Sequence, residues 1–303
     1  MQPSRDLFPR EGSSLTKKKM PTLYFILPAA LIVGAVLLFP VLYALGLSFF
    51  HYPLVDDGTR QFNGLQNYWT LFTDPEFWNS LWRQLGFILI AIPIELVIGF
   101  FVALLFSRDF FAGKVLRTLL LLPVFILPVL SGLTWRLMLQ PEYGALSFLL
   151  SKIGFGGKTI LAEPNLAYTA VIVQDIWRMW PFMFMILYAG LSNIPRELLE
   201  AANLDGAGFF KKITSVTIPL LKPTITTALL LRVIDALRIF SEIFVMTDGG
   251  PGNATMLFSI YTYRQAFKYF NIGIASAMAV ILLIIAILFA LTLVRKNMDL
   301  DTM

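Results

Sequence analysis

Six stretches of the chain are apolar for long enough to cross a bilayer: 23–50, 79–106, 118–139, 165–191, 223–246 and 271–294. Each exceeds the roughly twenty residues that a helix needs to span the hydrocarbon core. The burden is too large for a water-soluble domain. Of 303 residues, 57% are hydrophobic and only 14% charged, with a mean hydropathy of +0.73. Lipid can accept that surface; water cannot. The expectation is an all-α polytopic membrane protein of six transmembrane helices. A spanning domain at 23–294 lies between polar tails at 1–22 and 295–303.

The first run follows a basic start (Arg5, Arg10, Lys17, Lys18, Lys19), as a signal peptide does. It is too long for a signal core and offers no clear small-residue cleavage site. It reads as a retained first helix, bent at Pro28 or Pro40. Six spans place both termini on one side, and the basic residues choose which. Five Lys or Arg lie in the N-terminal tail, three in 107–117, four in 191–222 and two in the C-terminal tail. The intervening loops hold Arg60, Lys152, Lys158, Arg264 and Lys268. Cytoplasmic loops carry the excess of Lys and Arg, so both termini and the 192–222 loop are expected in the cytoplasm.

The formal charge of +5 and pI near 9.4 suggest nucleic acid at first sight, but the charges sit between apolar runs and act as topology signals. No cysteine is present, which excludes disulfide, iron–sulfur and thiolate zinc chemistry. The lone histidine, His51, stands at a span boundary and cannot build a metal centre. No metal site is expected. The loop of residues 51–78 carries Asp56-Asp57-Gly58 and the aromatics Phe62, Tyr68, Trp69, Phe72, Phe77 and Trp78, as an interfacial belt would. An apolar patch at 146–150 is expected as a short helix along the interface. Thr247-Asp248-Gly249-Gly250-Pro251-Gly252 reads as a tight turn. No Gly-Lys-Ser/Thr follows those glycines and no Walker motif occurs elsewhere, so any ATPase is a separate chain.

The most informative polar interval runs from Arg196 to Pro219 and reads as two short helices. Pro195 suits a first helical position and Glu197 puts a negative charge in the first turn. Asp205-Gly206 breaks the helix, with Gly206 taking left-handed geometry. Phe209, Ile213 and Val216 form an apolar face, opposite Lys211 and Lys212. The small residues Ala201, Ala202, Gly206, Ala207 and Gly208 permit close approach by another protein. An ordinary amphipathic surface helix fits the same residues.

Glu200-Ala201-Ala202, then Gly206 after three residues and Pro219 thirteen further on, resembles the EAA loop of the permease subunits of binding-protein-dependent ATP-binding-cassette importers. Val216-Thr217-Ile218-Pro219 stands where that family has isoleucine-any-leucine-proline. Trp177-Arg178-Met179-Trp180-Pro181-Phe182, Ala189-Gly190-Leu191, Ile194-Pro195-Arg196-Glu197, Met246-Thr247-Asp248-Gly249-Gly250-Pro251, and the stretches 135–144 and 261–277 are similar to the carbohydrate-importer branch. Asp248 departs from a frequent glycine. The resemblance implies a cytoplasmic coupling helix that couples to an ATPase subunit through Glu200, Ala201, Ala202, Asp205 and Gly206. It also implies a second homologous permease, two ATPase subunits and an extracytoplasmic solute-binding protein as partners. The setting is the cytoplasmic membrane of a bacterium or archaeon. No cofactor is expected on this chain, ATP and Mg²⁺ belonging to the ATPase, and no nucleic acid.

Ionisable side chains inside spans mark partners or wet cavities. Asp175 and Arg178 share a helical face, as do Arg232 with Asp235, Asp235 with Arg238, and Arg238 with Glu242. Together the last four read as a charged stripe. One reading places Asp175, Trp177, Arg178, Asp235, Arg238 and Glu242 along a sugar pathway, with Trp177 or Trp180 stacking on the ring. The other makes the charges interhelical pairs that fix register. Glu95 reads as an interhelical hydrogen-bonder. An ion-coupled secondary transporter using Glu95, Asp175 and Asp235 as proton carriers is the alternative function. A membrane-embedded enzyme lacks the convergent acidic or histidine ligands it needs.

Overall fold

The computed structural model describes residues 20–55, 59–107, 112–155 and 159–301. Residues 1–19 of the expected N-terminal tail, Asp56-Asp57-Gly58, Arg108 and Lys158 lie outside the described residues, as does the side chain of Arg196; residues 20–22 of that tail belong to the first helix.

Helix α1, Met20–Leu47, contains both Pro28 and Pro40 within one uninterrupted helix. A short antiparallel ribbon, β1 (Phe50–His51) with β2 (Gln61–Phe62), and α2 (Gln66–Thr73) follow. Helix α3, Pro75–Phe106, starts four residues before its apolar run because Asp74 caps it, its carboxylate accepting from the Glu76 amide at 2.9 Å. Phe77, read as part of an interfacial belt, is instead core, packed edge-on against Phe258.

The third apolar run is not one straight span. Helix α4 (Gly113–Phe125) and α5 (Pro128–Met138) meet at a 91° bend. Pro128 dictates it: the residue before a proline is pushed out of the helical region, and Leu127 has ψ 134°. After α6 (Ala145–Leu150) and a π-helical turn at Ser151–Phe155 comes α7, Pro164–Ser192, the central helix. Helices α8 (Arg196–Leu204) and α9 (Phe209–Lys212) lead through a π-helical turn, Ile213–Thr217, into α10, Ile218–Leu237. The fifth apolar run is also broken: α10 stops at Leu237 and α11 covers Ser241–Thr247. Helices α12 (Phe258–Phe267) and α13 (Ile272–Asp301) complete the described chain. Among the described residues, five helical runs are long and apolar enough to cross a membrane, and the α4–α5 pair makes a sixth if it counts as one span.

Small residues let the helices touch, as packing in lipid requires. Helices α3 and α7 meet at Gly99, where an added Cβ would stand 2.7 Å from the Phe184 amide nitrogen and 2.8 Å from the Met183 Cβ. Gly132 does the same between α5 and the backbone of Glu242, and Gly190 between α7 and Leu221 and Thr224 of α10. Gly99→Ala is therefore expected to cost about 1–3 kcal/mol through overpacking. It should lower the melting temperature of the detergent-purified chain. Gly34→Ala on α1, whose Cβ would meet nothing within 4 Å, should not. Equal melting temperatures for the two variants would contradict the packing described.

Candidate translocation and coupling sites

The ionisable residues inside the spans converge at one hub. Arg232, on α10, is fully buried and donates to both oxygens of Glu95 on α3, Nε to Oε2 at 2.7 Å and Nη2 to Oε1 at 3.0 Å. The same Nη2 donates to Asp175 Oδ2 on α7, and Nη1 lies 3.4 Å from Asp235 Oδ2 one turn along α10. A planar guanidinium is suited to this task because its donors point in fixed, divergent directions. Three helices are thereby tied through one cation. Around the hub, Gln84 on α3 donates to the Ala236 carbonyl on α10 at 2.9 Å, and Gln174 on α7 to Ser131 on α5 at 2.8 Å.

A second ion pair lies beside it. Arg178 on α7 reaches Glu242 on α11, Nη2 to Oε1 at 2.7 Å, with both side chains nearly buried. Asp175 and Arg178 do share a face of α7, yet each serves a different helix. The continuous stripe expected from Arg232 to Glu242 is not present. The break after Leu237 removes Glu242 from the helical register of Arg238, and Glu242 pairs across to α7 instead. Asp235 keeps its side chain half exposed and Arg238 is exposed, so these two are the accessible members of the group. Trp177 is partly exposed and packs on Trp135 of α5, ring centroids 5.9 Å apart; Trp180 packs against Phe184.

Gln84, Gln174 and Ser131 escaped the sequence reading. Their signal is a polar side chain within an apolar run, too common to single out without knowing what lies opposite. Among the described residues no group of three His, Cys, Asp or Glu is arranged to hold a metal ion.

The polar interval folds as two short helices, α8 and α9, extended by the π-turn. Pro195 is the residue before the helix rather than its first member, and Glu197 lies in the first turn. Gly206, φ +73°, closes α8 with a Schellman motif: its amide donates to Asn203 O at 3.1 Å and that of Ala207 to Ala202 O at 2.9 Å. Lys212 Nζ ties α9 back to Asn203 Oδ1 at 2.7 Å. The apolar face expected of Phe209, Ile213 and Val216 is only partly covered: Ile213 is buried, Val216 half-buried and Phe209 exposed. Leu204 and Phe210 are 89% and 77% exposed, and Glu200, Ala201, Asp205 and Gly206 are exposed with them, while Ala202 is half-buried.

An all-α bundle of long apolar helices, with a dehydrated ionic hub and an exposed helical hairpin beside α10, defines a multi-pass membrane protein of the transporter class. The chain belongs to the family of binding-protein-dependent transport system inner membrane components, whose model matches residues 75–300. It is a permease subunit of an ATP-binding-cassette importer, and not an enzyme. It is 35% identical over 273 residues to the trehalose/maltose transport system permease protein MalF of Thermococcus litoralis, covering 89% of this chain and 91% of that protein. It is also 35% identical over 255 residues to the sulfoquinovosyl glycerol transport system permease protein SmoG of Agrobacterium fabrum, covering 84% and 83% of the two chains. A subunit of a bacterial ABC transporter involved in the import of the acidic polysaccharide alginate shares the fold, with a TM-score of 0.78 at 23% identity over 92% of this chain and 95% of that one.

The hub makes a direct prediction. Arg232→Met strands Glu95 and Asp175 without a cation, and breaking a buried pair from one side costs about 3–5 kcal/mol. A marked fall in melting temperature is expected. The triple change Arg232→Met, Glu95→Gln, Asp175→Asn should recover much of it. A single variant as stable as the wild type would show that the hub does not hold the bundle.

Proposed function

We propose that the chain forms one half of the translocation pathway for a sugar or related solute, a di- or oligosaccharide, polyol or glycerol phosphate. It works with a second homologous permease, two ATPase subunits that bind ATP and Mg²⁺, and an extracytoplasmic solute-binding protein. Both termini and the 192–222 loop face the cytoplasm. The relatives named above, for trehalose/maltose and sulfoquinovosyl glycerol, support the solute class. A structure in the alginate group, matching with a TM-score of 0.76 at 23% identity over 90% of this chain and 92% of that one, holds a pentasaccharide-bound periplasmic protein in complex, which supports the partner on the outer side.

The observation that carries the proposal is the exposed surface of α8 and α9. Leu204, Phe209 and Phe210 lie uncovered beside the small residues Ala201 and Gly206 and the charged Glu200 and Asp205. Exposed apolar groups rimmed by charge mark an interaction surface. Glu200 anchors the ATPase by a salt bridge or hydrogen bond, while Ala201, Ala202 and Gly206 allow close seating. ATP binding draws the ATPase subunits together and pulls on this hairpin; the spans rock from inward-facing to outward-facing, toward the loaded binding protein. Asp175, Trp177, Arg178, Asp235, Arg238 and Glu242 line or support the pathway. Of these, Asp235, Arg238 and Trp177 are open enough to meet solute hydroxyls or stack on a ring.

Gly206→Asp tests the coupling role. A Cβ at Gly206 meets nothing within 4 Å; φ +73° strains any side chain there, but Asp is among the residues that visit left-handed geometry, so the hairpin itself should survive. Membrane insertion should remain intact and substrate-stimulated ATP hydrolysis by the assembled importer should be lost. Because the chain has no native cysteine, Glu200→Cys can be labelled with an impermeant thiol reagent from either side. Labelling only from outside, or normal coupling in Gly206→Asp, would overturn the proposal.

A further inference from the structure

A cavity of about 660 Å³ lies between α5, α6 and the first part of α7. Helix α6 presents Leu146, Leu149 and Leu150 to it, the i, i+3, i+4 positions of one face, and Trp135 and Val173 close other sides. Thr169 also lines it, but its hydroxyl is spent on the Asn165 carbonyl of the preceding turn at 2.8 Å. A sugar seated there would find only Lys152 and the Thr169 oxygen to pair with, leaving most of its hydroxyls without partners at a cost of about 1–3 kcal/mol for each group so buried. The cavity suits a hydrocarbon.

Its position agrees. Leu166 and Val173 are two and nine residues beyond Pro164, which at 1.5 Å per residue puts the cavity about 3–14 Å below the start of α7. That is the depth of a single leaflet of a core roughly 30 Å thick. One charged side chain, Lys152, lines the cavity. Its ammonium lies 4.9 Å over the Phe148 ring and has no carboxylate partner among the described residues. An apolar chamber one leaflet deep with a free cation among its walls matches an acyl chain tethered to an anionic headgroup.

We propose that this cavity is a binding site for an anionic membrane phospholipid, whose acyl chain lies against the leucine face of α6 and whose phosphate pairs with Lys152. The proposal rests on the chain's place in a membrane and not on its solute or its coupling partner. The test uses the full chain in phosphatidylcholine vesicles doped with photoactivatable acyl-chain probes, either phosphatidylglycerol or phosphatidylcholine, with cross-linked peptides mapped by mass spectrometry. The phosphatidylglycerol probe should label 146–150 and 166–173 about fivefold more than the phosphatidylcholine probe, the preference one lysine confers near an anionic group. Lys152→Gln should abolish that preference, and Thr169→Phe, at an exposed position that lines the chamber, should cut labelling by both probes while labelling of α1 stays constant. Equal labelling of the wild-type segments by the two probes would overturn the proposal. So would loss of labelling in the assembled importer, which would assign the cavity to another subunit.

Discussion

The Arg232 guanidinium, held between Glu95, Asp175 and Asp235, is the contact on which the rest of the bundle depends. Apolar packing between helices in lipid is weakly selective, because lipid tails are as apolar as the side chains they replace. A dehydrated cation is different. Removing each ion from water costs several kcal/mol, and only tight pairing offsets it. The bidentate pairing with Glu95 and the contact with Asp175 therefore set α3, α7 and α10 in one register, where a helix rotated or slid by a residue would leave charge unpaired. Gln84 and Gln174 extend the same directional control to the backbone of α10 and to α5.

Directional contacts also make the two broken segments possible. Non-helical backbone at membrane depth is tolerated only where protein satisfies it. At the end of α10 the Ile239 carbonyl accepts from Ser259, and the Val245 carbonyl within α11 accepts from Arg136 of α5 at 3.0 Å. Gly132 lets α5 come against the backbone of Glu242, and Glu242 in turn pairs with Arg178. The short helices α5 and α11 thus pack as a pair, linked to α7 and through it to the hub. Trp135 and Leu139 of α5 also line the apolar cavity beside α6.

The spans were legible because length and hydropathy are local properties, and the hairpin was legible because Asp205-Gly206 is local turn chemistry. What lay hidden was tertiary. Helical periodicity places Arg238 and Glu242 on one face only if the helix continues, and nothing in Arg238-Ile239-Phe240 announces that it stops. Pro128 did carry a local signal, yet Pro28, Pro40, Pro93 and Pro181 sit inside helices that continue, so the residue type alone does not separate a bend from a tolerated proline. Intramembrane charges announced that partners must exist but not which. Spacing along α7 paired Asp175 with Arg178, whereas the fold sends one to α10 and the other to α11.

Helix α10 joins the two sites. Its twenty residues span about 30 Å, with the α8–α9 hairpin leading into one end and Arg232 near the other. A force on the hairpin therefore reaches the hub through a continuous rod, interrupted only by the π-turn at 213–217. Separating Arg232 from Glu95 would leave a dehydrated carboxylate unpaired, so the hub resists being the part that gives. A two-state device needs contacts that differ between its states. Here those contacts must lie where separation exposes only apolar or already solvated groups. The half-exposed Asp235 and Trp177, the exposed Arg238 and the nearly uncovered α1 meet that condition, and the buried ion pairs do not. On the proposed rocking motion, the hub is the fixed body about which Asp235, Arg238 and Trp177 change their neighbours.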